Sequence, residues 1–144
     1  TYFWRSSPDP FLMTFDAPNA NVTCTRRVRS NTPLQALTLA NDVAFIEIAQ
    51  GLALRILQEG ADETPRQRIE RAFRLCLTRR PRGEELSLLT AYYDRSLAAF
   101  EADQAAAQAA APAQLPPGVS PAVGAATTAV ARVLLNLDEF INRE

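Results

Sequence analysis

Residues 31–42 read NTPLQALTLAND, and the fold is decided there. Thr32 can cap a helix with its hydroxyl, Pro33 suits the first helical position because its missing N–H would have no partner there, and Gln35 stands where a capping box places Glu or Gln. The spacing predicts a helix to about Ala40, after which Asn41-Asp42 offers a second cap and restarts the chain as a helix ending before Gly60. Phe45, Ala49, Leu52, Ala53, Ile56 and Leu57 share one face of that second helix. Gly51 inside it costs about 1 kcal/mol relative to Ala, which predicts close approach of a neighbouring helix at that point.

The same start signal recurs downstream at Thr64-Pro65-Arg66-Gln67. Ile69, Ala72, Phe73, Cys76 and Leu77 form the apolar stripe of the helix it opens, Arg66, Arg68, Arg71 and Arg74 fall on the outer surface, and Pro81 ends it. A fourth helix is expected from near Gly83, burying Leu86, Leu89, Tyr93, Leu97 and Phe100, with Glu84 and Glu85 at its electropositive N-terminal end. From Ala102 to Ala113 the chain is almost all Ala and Gln, which favours helix but offers nothing large to bury, so a solvated extension is expected to run into a linker at Pro116-Pro117-Gly118. Ser120-Pro121 caps a last helix with Val123, Ala126, Val130, Val133, Leu134, Leu137 and Ile141 as its stripe.

Upstream of Asn31 no helical period is visible. Pro8, Pro10 and Pro18 recur among Tyr2, Phe3, Trp4, Phe11 and Phe15, which reads as an extended arm whose rings pack onto the body. No alternating strand pattern of useful length occurs. The expected fold is therefore all-α, a bundle of about five helices with an aromatic-rich extended arm: arm 1–30, helical body 31–101, Ala/Pro-rich extension and linker 102–120, and a C-terminal helix 121–144 packing on the body.

Composition narrows the chemistry. The 144 residues are 47% apolar and 22% charged, the balance of a globular domain, and one core is expected without help from a disulfide or a metal. There is no His and no Lys; all 15 basic residues are Arg and the net charge is -1. Histidine acid/base chemistry, imidazole metal ligation, lysine Schiff bases and a Walker-type phosphate loop each lack their essential side chain. A near-neutral chain argues against general nucleic-acid binding, which depends on excess positive charge. The most apolar stretch, Ala122 to Leu137, is interrupted by Thr127, Thr128 and Arg132, so no membrane span is expected. The opening TYFWRSSPDP lacks the pattern of a signal peptide and begins without Met, which reads as a piece of a larger polypeptide.

Three arginines, Arg26, Arg27 and Arg29, crowd just ahead of the first predicted helix. Beside free backbone N–H groups they suit a carboxylate, sulfate or phosphate ligand, with Asn31 at the edge of that candidate site. The simpler reading is structural: Arg26 or Arg27 pairs with Asp16, Asp42 or Asp138 and pins the arm to the bundle. Asp16, Asp42 and Asp138-Glu139 are the acidic candidates for paired-carboxylate chemistry, yet Asp42 is accounted for as an N-cap and Asp138 as an arginine partner, so no catalytic residue is assigned. Cys24 and Cys76 show no metal or haem-attachment spacing; Cys76 reads as a small core residue and Cys24 as buried or a free thiol, a disulfide between them being the alternative that would tie arm to body. The sequon Asn21-Val22-Thr23 is short enough to arise by chance.

Taken together, YFWRSS, MTFDAPNANVTCTRRVRSNTPLQALTLAND, AFRLCLTRRP and ARVLLNLDEFINRE resemble the C-terminal part of the domain-of-unknown-function family 1553, abundant in planctomycete-type bacteria. The resemblance runs from about Tyr2 to Glu144 and is most specific between Thr14 and Asp42. It implies an upstream partner domain, often with a cytochrome c-like haem domain, in an exported protein. The haem motif is absent here, so any haem belongs to an upstream domain and no cofactor is assigned to this chain. Val43 stands where the family often has proline, and Arg82 where a threonine cap is common. The family has no established activity, and the resemblance implies only a shared polar structure at Asp16, Arg26, Arg27, Arg29, Asn31, Asn41, Asp42, Asn136 and Asp138. Two functions follow as expectations: a non-catalytic helical structural or interaction module of a larger exported bacterial multidomain protein, packing on its upstream domains, or the part of a carbohydrate-processing protein that binds an anionic or sulfated polysaccharide.

Overall fold

The computed structural model describes residues 7–18, 21–26 and 30–142, and every regular element in it is helical. In chain order these are α1 (Pro10–Thr14), α2 (Pro33–Asn41), α3 (Val43–Glu59), α4 (Pro65–Leu77), α5 (Gly83–Ala102), α6 (Gln104–Ala110), α7 (Pro121–Leu135) and α8 (Asp138–Ile141). The all-α architecture is as expected, with α1 and α8 added as short helices and the Ala/Gln stretch helical as α6.

Local chemistry sets the helix starts. The hydroxyls of Thr32 and Thr64 accept from the backbone N–H of Gln35 and Gln67, and each glutamine side chain accepts in return from its threonine's N–H, so both capping boxes form. Asp42 accepts from the Ala44 N–H and opens α3, so Val43 in place of proline does not prevent the start. At α5, Arg82 offers no side-chain cap; Glu85 instead reaches back to the Arg82 N–H at 2.6 Å. α4 ends at Leu77, ahead of Pro81, on a left-handed Thr78 (φ 59).

α7 is the axis of the bundle. It lies against α3, α5 and α6 and also touches α2, α4 and α8. Ala122, Gly124, Ala125, Ala126, Thr127, Thr128, Val130, Ala131, Leu134 and Leu135 are all buried, which is most of its circumference. A C-terminal helix with one packing stripe is thus corrected to a central one: its small side chains let three neighbours close in. Thr127 and Thr128 satisfy their hydroxyls on the carbonyls of Val123 and Gly124. Around α7 the main core gathers Ile56, Ile69, Phe73, Leu86, Leu89 and Leu134, with Cys76 among them.

The Ala/Gln stretch is likewise not a solvated extension. Asp103 breaks α5 and caps α6, whose Ala107 is fully buried and packs with Ala111, Ala122 and Ala125 into a second cluster closed by Leu115. Burial here comes from close backbone approach rather than side-chain size. The close-approach glycine is Gly124, where a Cβ would stand 2.7 Å from Leu115 Cδ2 and 3.3 Å from Ala111 Cβ. Gly51 was expected in that role, but it is exposed and a Cβ there would meet nothing within 4 Å. Gly51→Ala should therefore raise stability by about 0.5–1 kcal/mol, read as a higher denaturant midpoint at unchanged m-value. A lower midpoint would restore the expected crossing.

The arm is not wholly extended. Asp9 accepts from the N–H groups of Phe11 and Leu12 and starts α1, with Pro10 at its first position. Phe11 and Phe15 close on Phe45 at centroid distances of 5.8 and 5.7 Å, so these rings anchor the arm on α3. Tyr2, Phe3 and Trp4 lie outside the described residues. Among the described residues no single helix is long and apolar enough to cross a membrane.

Candidate functional site

Four of the polar residues singled out in the sequence, Asp16, Asn31, Asn136 and Asp138, fall into one joint between the arm, α2 and the end of α7 with α8. Asp16 sits in the left-handed region (φ 56), which Asp tolerates better than most residues, and its Oδ2 accepts from the Ser30 N–H (2.9 Å), the Ser30 hydroxyl (2.7 Å) and Gln35 Nε2 (3.2 Å). Gln35, only 2% exposed, also donates to the Thr14 carbonyl at 2.8 Å, while its Oε1 accepts from Thr32 N–H at 2.9 Å. One amide thus ties the arm to the start of α2.

On the other side Asn31 Nδ2 donates to Asp138 Oδ1 at 2.5 Å, and Asn142 Nδ2 donates to the same oxygen at 2.9 Å. Those two donors, Asn142 first, hold the Asp138 carboxyl below its ordinary range. Asn136 Nδ2 donates to the Ala36 carbonyl at 3.3 Å and Arg132 donates to the Ala40 carbonyl, so α7 grips α2 by its backbone. Asn136 Oδ1 is buried without a partner among the described residues.

The expected arginine pairing falls largely outside the described residues. Arg26 is exposed and makes no ion pair among the described residues; Arg27 and Arg29 lie outside them. Asp42 is an N-cap, and Asp138 is held by amides, not by a guanidinium. Asn41 turns back to the Leu37 carbonyl of its own helix. Among the described residues, three N–H groups around the start of α2 are occupied: Ser30 by Asp16, Thr32 by Gln35, and Gln35 by the Thr32 hydroxyl.

The densest charge cluster among the described residues lies elsewhere, and Arg79 at its centre was not singled out from the sequence. Arg79, in the loop after α4, forks onto Glu85 at 2.9 and 2.8 Å and onto Glu139 at 2.7 Å twice, with its guanidinium 4.8 Å from the centre of the Phe73 ring. It joins the α4–α5 corner to α8. The hydrogen bonds from Arg79, then the one from the Arg82 N–H, draw Glu85 down to about 2 from an ordinary 4.5. A carboxylate depressed on folding contributes stability that is complete above its unfolded value and is lost as pH falls through its folded value. The melting temperature should accordingly drop between about pH 4.5 and pH 2, and drop less across that window in Glu85→Gln. Parallel curves for the two proteins would show that Glu85 is not responsible. A second cluster, Arg71 with Glu63 and Arg68 with the Gly60 and Ala61 carbonyls, closes the α3–α4 loop, so Arg68 and Arg71 are engaged rather than simply outward-facing.

The remaining candidates are quiet. Cys24 is exposed and Cys76 buried, both as free thiols, and burial pushes the Cys76 thiol up to about 11, which suits an inert core residue. A crevice lined by Ile56, Arg68, Tyr93, Thr127 and Val130 encloses about 10 Å³, room for about one water. Among the described residues no three His, Cys, Asp or Glu side chains converge as metal ligands would.

Residues 1–93 match the family described as PSD1, protein of unknown function (DUF1553). The match takes in Asp16, Arg26, Arg27, Arg29, Asn31, Asn41 and Asp42 and stops short of Asn136 and Asp138, so it is narrower than the resemblance along the whole chain. No curated protein and no solved structure matches the chain. On the strength of the match over residues 1–93, this chain belongs to the DUF1553 family.

Proposed function

We propose that the chain is a non-catalytic helical module whose polar residues fasten its own segments together, serving as a support within a larger exported polypeptide and packing against other domains of it. The observation behind this reading is where the polar groups are spent. Asp16 holds Ser30 and Gln35, Asn31 holds Asp138, and Asn136 and Arg132 hold α2 by its carbonyls. A haem, in this reading, belongs to a neighbouring domain. An anionic-polysaccharide site would need donors held open for the ligand, and the N–H groups of Ser30, Thr32 and Gln35 are engaged within the chain.

The two roles respond oppositely to mutation. Residues kept for a ligand are held at some cost to stability, so removing them leaves the free protein as stable or more so, whereas removing a fastener weakens it. Asp16→Ala, Asn31→Ala and Asp138→Ala should each lower the melting temperature, and the last two together should lower it by less than the sum of the single effects, because they break the same bond. Unchanged or raised melting temperatures, accompanied by salt-sensitive binding of a sulfated glycan that Arg26→Ala weakens, would replace the support role with the glycan-binding one.

A further inference from the structure

α8 is a single helical turn, Asp138 to Ile141, and a turn of that length does not hold itself together, because the first hydrogen bond of a helix costs more backbone freedom than it returns. What keeps it formed is tertiary. Leu137 and Phe140, three positions apart and so on one side, pack partly buried against the main core. Consecutive helical side chains point about 100° apart, so Asp138 and Glu139 face different neighbours. Asp138 Oδ1 accepts from Asn31 Nδ2 at 2.5 Å, on the side of the arm joint, whereas the Glu139 carboxylate accepts twice from Arg79 at 2.7 Å, on the side of the α4–α5 corner.

One marginal turn is thus held from two directions by groups 48 positions apart in the chain. Each holder is fixed by contacts of its own. Arg79 also grips Glu85 and lies over the Phe73 ring, and Asn31 stands between Ser30 and Thr32, whose N–H groups are held by Asp16 and Gln35. An element that forms or frays as a unit, and whose balance is biased by two sites, couples those sites. Losing either hold favours the frayed turn, and the frayed turn no longer presents its carboxylate to the other holder.

We infer that α8 is a relay between the two joints: drawing Arg79 off Glu139 loosens the start of α2, and freeing Asp138 from Asn31 loosens the α4–α5 corner. The inference rests on the reading of the polar joint as a fastener, which the loss of stability in Asp138→Ala tests by itself. Amide hydrogen exchange on the whole chain tests the relay. Glu139→Ala is expected to speed exchange at Ser30 and Thr32 by roughly two- to fivefold, the factor that the contribution of an exposed ion pair allows. Coupling is reciprocal, so Asn31→Ala should speed the Arg82 amide, which donates to Glu85, by a similar factor. Asn31 and Glu139 are both exposed, and the helical circular dichroism should be intact in either variant. Glu63→Ala removes an ion pair of the same kind, with Arg71 at the α3–α4 loop, and should leave all three amides at the wild-type rate. Ser30 and Thr32 unaffected by Glu139→Ala, Arg82 unaffected by Asn31→Ala, or equal acceleration in Glu63→Ala, which would mean a general loss of stability, would each overturn the relay and leave the fastener standing.

Discussion

Leu134→Ala is expected to destabilise the chain by about 3–5 kcal/mol, in the upper part of the range for such truncations. Leu134 is fully buried near the end of α7, and the core cluster it belongs to is rich in alanine, Ala131 one turn before it and Ala49 and Ala126 elsewhere in the cluster, each 0% exposed. An alanine has no rotamer to swing into a void, so the cavity closes less than it would among longer side chains and most of its cost survives. For a domain of this size the melting temperature should fall by roughly 10 °C. The control is Leu88→Ala, at a site 72% exposed, where a change within about 0.5 kcal/mol is expected. Equal losses at the two positions would mean that α7 is not the axis of the bundle.

Gln35→Leu keeps the volume and removes the polar functions. The Thr32 N–H loses its acceptor, and the Thr14 carbonyl and Asp16 lose a donor. Each buried group left unpaired costs about 1–3 kcal/mol, but the arm can lift away and let water reach them, so the loss is capped at what the arm contributes. The expected total is about 2–3 kcal/mol. Gln67→Leu makes the same change in the second capping box, where the glutamine is exposed, and should cost about 0.5–1 kcal/mol. The local motif is shared, and burial accounts for the difference.

What the sequence disclosed and what it concealed divide along the range of the interactions. Both capping boxes, the Asp42 cap and the Ile69–Leu77 stripe were legible because they depend on residues three or four positions apart. α1 carries the same kind of signal in Asp9-Pro10, hidden among the surrounding prolines. The burial of α6 and the all-round burial of α7 were not legible, because runs of alanine and other small residues blur the period and only the tertiary approach shows which of them are inside. The two glycines make the same point: Gly51 and Gly124 look alike in sequence, and only the folding back of Leu115 and Ala111, from the segment that leads into α7, distinguishes them. For the candidate site, the residues Asp16, Asn31, Asn136 and Asp138 were identified, but their partners were not. Among the described residues amides and a serine meet Asp16 and Asp138, while Arg27 and Arg29 lie outside them. The Arg79 fork joins residues six and sixty positions away, and nothing in an RRPRGEE string reveals that Glu139 will arrive beside it.

The account rests on the polar joint being a fastener, and amide hydrogen exchange on Gln35→Leu tests that most directly. Exchange at the amides of Phe11 to Ala17 and at Ser30 to Thr32 should accelerate toward the rate of an open chain, while α4 and α5 keep their protection relative to one another. Arm amides exchanging at the wild-type rate in the variant would contradict it, since Gln35 would then be holding nothing in place.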